Sequence, residues 1–481
     1  MNTLLWLRTD LRMHDNAALA AAAEAGTVTA LFLAAPGQWR QHGDSPAKVD
    51  FWLRNLRELS NDLAQAGIPL KLVTVDDWRH APRALAGFCQ EHAIEQVHAN
   101  AEWGVNERRR DDAVASALAD IGVDWTLHHG ATLLRPGTVL NGKGECYRVY
   151  TPYARTCRER LRSAPLRPIP APRAQTPPRW KSDPLPESFK GFDAPNDAVR
   201  ALWPAGETAA SDRLAAFADD AIFAYKDERD FPSLPATSCL SPYLAAGVVS
   251  PGQALRAALA ANQGEIDSGK AGVATWINEL LWREFYQHLL AAFPALSMHR
   301  PMKPETAAVP WRDAPDDLAA WQQGKTGIPI VDAAMRQMLA LGWMHNRLRM
   351  VTAMFLSKNL LIDWRLGEAW FMSQLVDGDL AANNGGWQWS ASTGADAVPY
   401  FRVFNPLSQS RRFDPRGAFL REWLPELAHL DDKAIHDPNP MERAAAGYPE
   451  PIVDLAQSRL RALEAFGNLP AAQRVLNLWR R

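Results

Sequence analysis

Cysteine is scarce in this chain: four residues, Cys89, Cys146, Cys157 and Cys239, in 481. That number rules out a disulfide-stapled scaffold, and the spacing matches no zinc motif, so no metal is expected and a reducing compartment, the cytoplasm, is. No apolar run reaches the ~20 residues that span a bilayer, which leaves no expected membrane association. The first residues, MNTLLWLRTDLR, carry both signs of charge within the opening turns, unlike a secretory leader. There is little net charge, −2 at neutral pH, so no global attraction to a polyanion can be argued. No glycine fingerprint follows the first apolar strand pattern, and a dinucleotide-binding reading therefore loses its main support.

What is present is size, proline and tryptophan. The length implies two or more domains with large cores, and 47% hydrophobic with 22% charged residues is ordinary for a globular protein. Tryptophan is abundant, 19 against 8 tyrosines; it serves as core bulk, but also as a stacking surface and a site of one-electron oxidation. Short apolar runs at 4–8, 28–34, 70–75, 96–100 and 124–129 alternate with helical stretches, which predicts an α/β domain over 1–130 with a doubly wound parallel sheet. Prolines then cluster at 165, 168, 170, 172, 177, 178, 184 and 186, marking 131–205 as an irregular connector between folded units. Residues 206–481 read as an all-α domain. Ser211 is a candidate cap for one of its helices, and Ser250 followed by Pro251 for another. In TWINELLWREFYQHLLAAF, Glu279, Trp282, Arg283 and Tyr286 fall on one helical face. That face reads either as a site wall or as an ion pair over an aromatic core.

The densest region is 324–389. Its apolar helical runs carry Asp332, Arg336, Asn346, Arg347 and Arg349, and polar groups in such runs need partners from the protein or from a ligand. Further on, Asp377, Asp379, Asn383 and Asn384 precede Gly385, Gly386, Trp387 and Trp389. Glycines admit close approach, and amides and carboxylates can hydrogen-bond a heteroaromatic ring. The competing reading of any single residue is a helical core with polar decoration. Charge is also uneven: Arg, Lys and His concentrate between Trp282 and Arg365, as a compact nucleic-acid footprint or as solvated helix faces.

The words TGIPIVDAAMRQ, GWMHNRLRM and DGDLAANNGGWQWSASTG, with LLWLRTDLRMHDN near the start and WLPEL at 423–427, closely resemble the photolyase/cryptochrome family, class I cyclobutane pyrimidine dimer (CPD) photolyases of bacteria above all. The resemblance implies FAD as cofactor. Tyr225, Arg229 and Thr237, Ser238, Cys239, Leu240 and Ser241 would hold its phosphates and sugar. Asp377, Gly378 and Asp379 would meet the ribityl chain and ring, Arg349 would partner Asp377, and Asn383 would face the flavin N5. The lesion pocket would comprise Glu279, Asn346 and Met350 with Trp282 and Trp389 as an aromatic clamp, and Met350 is the residue of CPD enzymes where (6-4) enzymes carry His. Trp387, Trp364 and Trp311 match the electron-transfer triad; Trp387 and Trp389 point about 200° apart if helical. Arg283, Arg347, Arg402 and Gln409, with the Arg411-Arg412 pair, would contact the DNA backbone. Asn106 and Glu107 match a folate-antenna pair, so 5,10-methenyltetrahydrofolate is the candidate antenna. The Cys-Lys pair that follows PAL in folate-type relatives is here Ser297 and Met298, which removes a charge partner for the folate.

The function so implied is light-driven repair of CPDs by electron transfer from excited reduced FAD to a flipped-out dimer, by a monomer without an obligate protein partner. The first alternative is a cryptochrome-like blue-light photoreceptor without repair activity. The second is a nucleotide-binding enzyme built on 1–130, which has no phosphate loop and leaves the tryptophans unexplained.

Overall fold

The computed structural model describes residues 1–469, which divide into two compact units. The first comprises Met1–Lys226, Ser238–Pro294 and Val376–Asp379; the second comprises Asp227–Thr237, Ala295–Leu375 and the chain from Leu380 onward.

In the first unit five parallel strands, β1 (Asn2–Leu7), β2 (Thr27–Ala34), β3 (Leu70–Thr74), β4 (Gln96–Asn100) and β5 (Asp124–His128), lie in the order β3-β2-β1-β4-β5. The strand order reverses at β1, which pairs with β2 on one side (Leu4 opposite Thr29) and β4 on the other (Thr3 opposite Gln96). β1 and β2 are buried along nearly their whole length because helices cover both faces. The edge strand β5 is largely exposed and correspondingly polar. Each strand falls within a residue or two of its expected position, since the alternation of apolar runs and helical stretches is a local signal.

The connector region is more ordered than its prolines suggest. Tyr150–Ser163 is a helix with Tyr153, Ala154, Cys157 and Leu161 buried along one stripe. The proline-rich part beyond it is pinned: the Gln175 side chain takes Val28 N–H at 2.8 Å and gives to Val28 O at 2.8 Å, and Trp180 Nε1 donates to Thr29 Oγ1 at 2.9 Å. Ser211 is not a cap. The helix there is Glu207–Asp219 and begins at Gly206, whose φ of 101° suits glycine and whose N–H is held by Asn55. Ser250 does cap Pro251–Ala261, in a reciprocal box with Gln253.

The second unit is helical around a core that includes Trp321, Met335, Met338, Leu348, Phe355, Trp364, Phe371 and Trp387. Of the polar residues singled out above, Asp332 is fully buried and satisfied by the protein alone: it accepts from Thr326 N (2.7 Å), Thr326 Oγ1 (2.6 Å), Gly327 N (3.0 Å) and the Tyr448 hydroxyl. Burial pushes its carboxyl up to about 6 against these bonds. Arg336 pairs with Glu426 at 2.7 Å. Both are structural. Asn346 is not buried at all; it opens the helix Asn346–Met354 and is exposed.

Candidate active site

In the first unit the helix Ala271–Ala292 presents Glu279, Trp282, Arg283 and Tyr286 on a half-buried face, while Glu284, Gln287 and His288 are buried. Trp282 is the best-positioned of these. Its indole stacks on the Tyr150 ring with centroids 3.8 Å apart and planes within 5°, and the Tyr150 hydroxyl donates to Asn278 O at 2.9 Å. Sequence reasoning missed Tyr150, whose only local sign is an aromatic at the start of an amphipathic helix. Arg283 Nη1 donates to Ala131 O at 2.9 Å, so part of its guanidinium is used internally. Its neighbour Glu284 accepts from Leu133 N at 2.8 Å and is pushed up to about 7 by burial.

The same unit holds the buried Tyr225, the segment Ser238–Ser241 and Asp377–Asp379. The short helix Ser241–Ala245 has Leu240, which has no side-chain cap bond, in the cap position. Gln287 Nε2 reaches the Asp379 carboxylate at 3.2 Å.

At the end of the sheet, Asn106 Nδ2 lies 3.2 Å from His42 Nε2. The Glu107 carboxylate folds back over Gly104, where a Cβ would meet Oε2 at 2.0 Å. Burial, with the nearby Glu102 charge, pushes Glu107 up to about 7. The carboxyl ends of β1 and β4, where open α/β sheets bind ligands, are filled by the protein's own ions. Arg8 binds Asp111 at 2.7 Å, Arg110 binds Glu102 at 2.8 Å, and both guanidiniums lie about 5 Å from the Trp6 ring. Sequence reasoning passed over this network because nothing in the run ERRRDD marks which of its three arginines is buried.

In the second unit, His345 caps Asn346–Met354, its Nδ1 accepting from Arg347 N at 3.2 Å. Burial holds His345 down to about 4, so it is neutral and able to accept. Arg347 binds Asp230 at 2.6 Å and lies 4.5 Å from the Phe413 ring. Met350 is half-buried one turn from exposed Asn346, and Arg349 Nε donates to Met344 O at 2.8 Å. Arg402 is exposed and Gln409 half-buried. Arg402 O accepts from Lys358 Nζ at 3.2 Å; this lysine, missed in the sequence, is fully buried in the π-helical turn Phe355–Asn359, and burial brings it down to about 7.

The helix Leu380–Ser390 separates the two adjacent asparagines. Asn384 is consumed internally: Nδ2 donates to Glu368 Oε1 at 2.9 Å and Oδ1 accepts from Gln388 at 2.9 Å. Asn383 Nδ2 donates to the main-chain oxygen of Glu368 at 3.0 Å. A carbonyl can only accept, so the Asn383 amide cannot be flipped, and its oxygen is presented as an acceptor. An acceptor of fixed orientation fits the N–H of a reduced flavin ring. Trp387 and Trp364 are fully buried, whereas Trp389 and Trp311 are half-buried, so of the three expected triad residues only Trp311 is partly exposed.

Residues 3–173 match the family described as DNA photolyase, and residues 276–468 match the FAD binding domain of DNA photolyase. The chain is 44% identical to the deoxyribodipyrimidine photo-lyase of Escherichia coli (strain K12), covering 96% of this chain and 98% of that protein. Among solved structures, a bacterial class III photolyase from Agrobacterium tumefaciens is similar with a TM-score of 0.86 at 38% identity, covering 97% of each chain. A cryptochrome from Synechocystis sp. has the same TM-score at 27% identity, covering 97% of this chain and 99% of its own.

Proposed function

This chain belongs to the DNA photolyase family, and from that premise we infer that it repairs cyclobutane pyrimidine dimers in DNA with light, using FAD. When bound and reduced, the flavin supplies the light-driven electron to the dimer; the protein's part is binding, orientation and electrostatics. Glu279 and Asn346 hydrogen-bond the flipped bases, Trp282 and Trp389 offer stacking surfaces, and Met350 lines the pocket without a titratable proton. Arg347, Arg402, Gln409 and the remaining donors of Arg283 take phosphates. Tyr225, Arg229, Thr237, Ser238, Cys239, Leu240, Ser241, Arg349, Asp377, Gly378 and Asp379 hold the cofactor, and Asn383 accepts a hydrogen bond from its ring.

The observation that carries the repair reading, rather than a photoreceptor without repair, is the pair Asn346 and Met350: both are solvent-accessible on one helix, so Met350 is not core filler. The test is an absorption spectrum of the purified protein followed by dimer-containing DNA exposed to blue light or kept dark. Flavin bands and light-dependent loss of dimers support the reading; a flavin protein that leaves dimers intact in the light refutes it.

The division at residues 130 and 205, action as a monomer, and a cytoplasmic location are parts of the same proposal; no helix among the described residues is long and apolar enough to cross a membrane. Asn106 and Glu107 bind folate weakly. Met298 is 45% exposed, so a lysine there restores a surface charge worth ~0–1 kcal/mol. Titration with methenyltetrahydrofolate is expected to show up to about fivefold tighter binding by Met298→Lys than by the parent. Tight saturating binding by the parent contradicts this.

A further inference from the structure

A second indole, Trp321, lies against Trp387. Two rings pack against Trp387: Phe371, with centroids 5.0 Å apart, and Trp321, with centroids 6.0 Å apart and planes at 74°. Trp321 also stacks on Phe371 at 5.9 Å and 8°. Phenylalanine is much harder to oxidise than indole, so of these two neighbours only Trp321 can hold a hole. Both indoles are withdrawn from solvent, at 0% and 2% exposure.

They differ at the ring nitrogen. Trp321 Nε1 donates to Thr352 O at 3.2 Å, whereas Trp387 Nε1 is buried with no hydrogen-bond partner among the described residues. Removing an electron from an indole makes a cation whose N–H is strongly polarised. A carbonyl facing that N–H favours the charged form, and a dry surrounding strengthens the effect. Oxidation is therefore easier at Trp321 than at Trp387, on this difference.

We propose that Trp321 is a side branch of the electron path, a buried holding position for the hole. The proposal rests on the reading of Trp387 as the triad member that is oxidised under light. In the step, one electron moves from Trp321 to oxidised Trp387; Trp387 returns to its neutral form and Trp321 becomes the radical cation. No bond forms or breaks. The proton stays on Trp321, because a backbone carbonyl is too weak a base to take it and no solvent reaches the ring. Among the described residues, the one other ring packed on Trp321 is Phe371, which does not take the hole, so the hole leaves by returning to Trp387. Half-buried Trp311 differs in that its ring reaches solvent. The oxidant is the light-excited oxidised flavin that the family's chemistry provides.

The test uses flavin-loaded protein and transient absorption of the tryptophan radical cation, not repair activity. Trp364→Phe closes the outward route in both samples. The radical-cation band is expected to live about fivefold longer in Trp364→Phe than in Trp364→Phe/Trp321→Phe, the population ratio one net hydrogen bond sustains. Because the indole planes cross at 74°, the polarisation of the band in Trp364→Phe should rotate as the hole changes ring. That measurement needs no substitution at Trp321, and so decides the matter even where Trp321→Phe folds poorly. Equal lifetimes with constant polarisation overturn the branch. A tryptophan radical that survives Trp387→Phe instead overturns the underlying role of Trp387.

Discussion

Gly367 offers the sharpest test of how Trp387 is held. It lies inside the helix Trp364–Gln374, where alanine normally replaces glycine with a gain of ~0.5–1 kcal/mol from helix propensity. Here the sign should reverse. A Cβ at 367 would stand 2.1 Å from the Trp387 ring (Cη2), 2.5 Å from its Cζ3 and 2.6 Å from Leu356 Cδ2. None of these atoms can retreat easily: Trp387 is boxed by Trp321 and Phe371, and Leu356 is fully buried. Overpacking of this kind costs ~1–3 kcal/mol or more, so Gly367→Ala should be net destabilising by about 1–2 kcal/mol, a drop in Tm of about 1–2 °C for a chain of this size. The displaced ring should also slow photoreduction of the bound flavin, with little change in flavin content. Differential scanning calorimetry and blue-light photoreduction read the two effects separately. A Gly367→Ala protein as stable as the parent, photoreduced at the same rate, would show that the packing around Trp387 is slack and that the argument is wrong.

Three further outcomes are expected. Glu279→Ala should lower dimer repair per absorbed photon by about tenfold or more, since a charged hydrogen bond is worth ~1.5–3 kcal/mol, while flavin stays bound; an unchanged quantum yield removes Glu279 from the mechanism. Trp387→Phe should block photoreduction of the oxidised flavin yet spare repair when the flavin is first reduced chemically, and normal photoreduction would mean the hole takes another route. His345, held down to about 4 from an ordinary 6.5, gives stability that is present above the higher value and lost as pH falls through the lower one. His345→Asn, which keeps a cap acceptor but cannot titrate, should therefore lose less stability than the parent between pH 7 and 4, by up to about 3 kcal/mol in urea unfolding. Parallel pH profiles would show that the imidazole is not the titrating group.

The fold was legible where the signal is local. The strands declared themselves by apolar runs separated by helical stretches, and Ser250 with Pro251 announced a helix start. Ser211 misled because its hydroxyl has the right chemistry, but the start is set by the Gly206 backbone and the distant Asn55. The helix Tyr150–Ser163 was hidden beside a proline cluster that begins only at Pro165. Within the site, the resemblance proposed residues by type but could not say which polar groups the protein uses for itself.

The sequence by itself determined the α/β and helical composition, the tryptophan and polar vocabulary of the site, and the kinship those words carry, because periodicity and motif spacing are properties of neighbours along the chain. Only the tertiary structure decided that Asp332 and Asn384 are consumed internally while Asn383 presents a fixed acceptor. It alone put Tyr150 under Trp282 and Trp321 beside Trp387, and packed Arg8, Glu102, Arg110 and Asp111 into the ends of the strands. The physical reason is that a buried polar or aromatic group takes its role from whichever partners the fold brings to it, some a turn away and some more than a hundred residues away, and no local pattern records which partner will arrive.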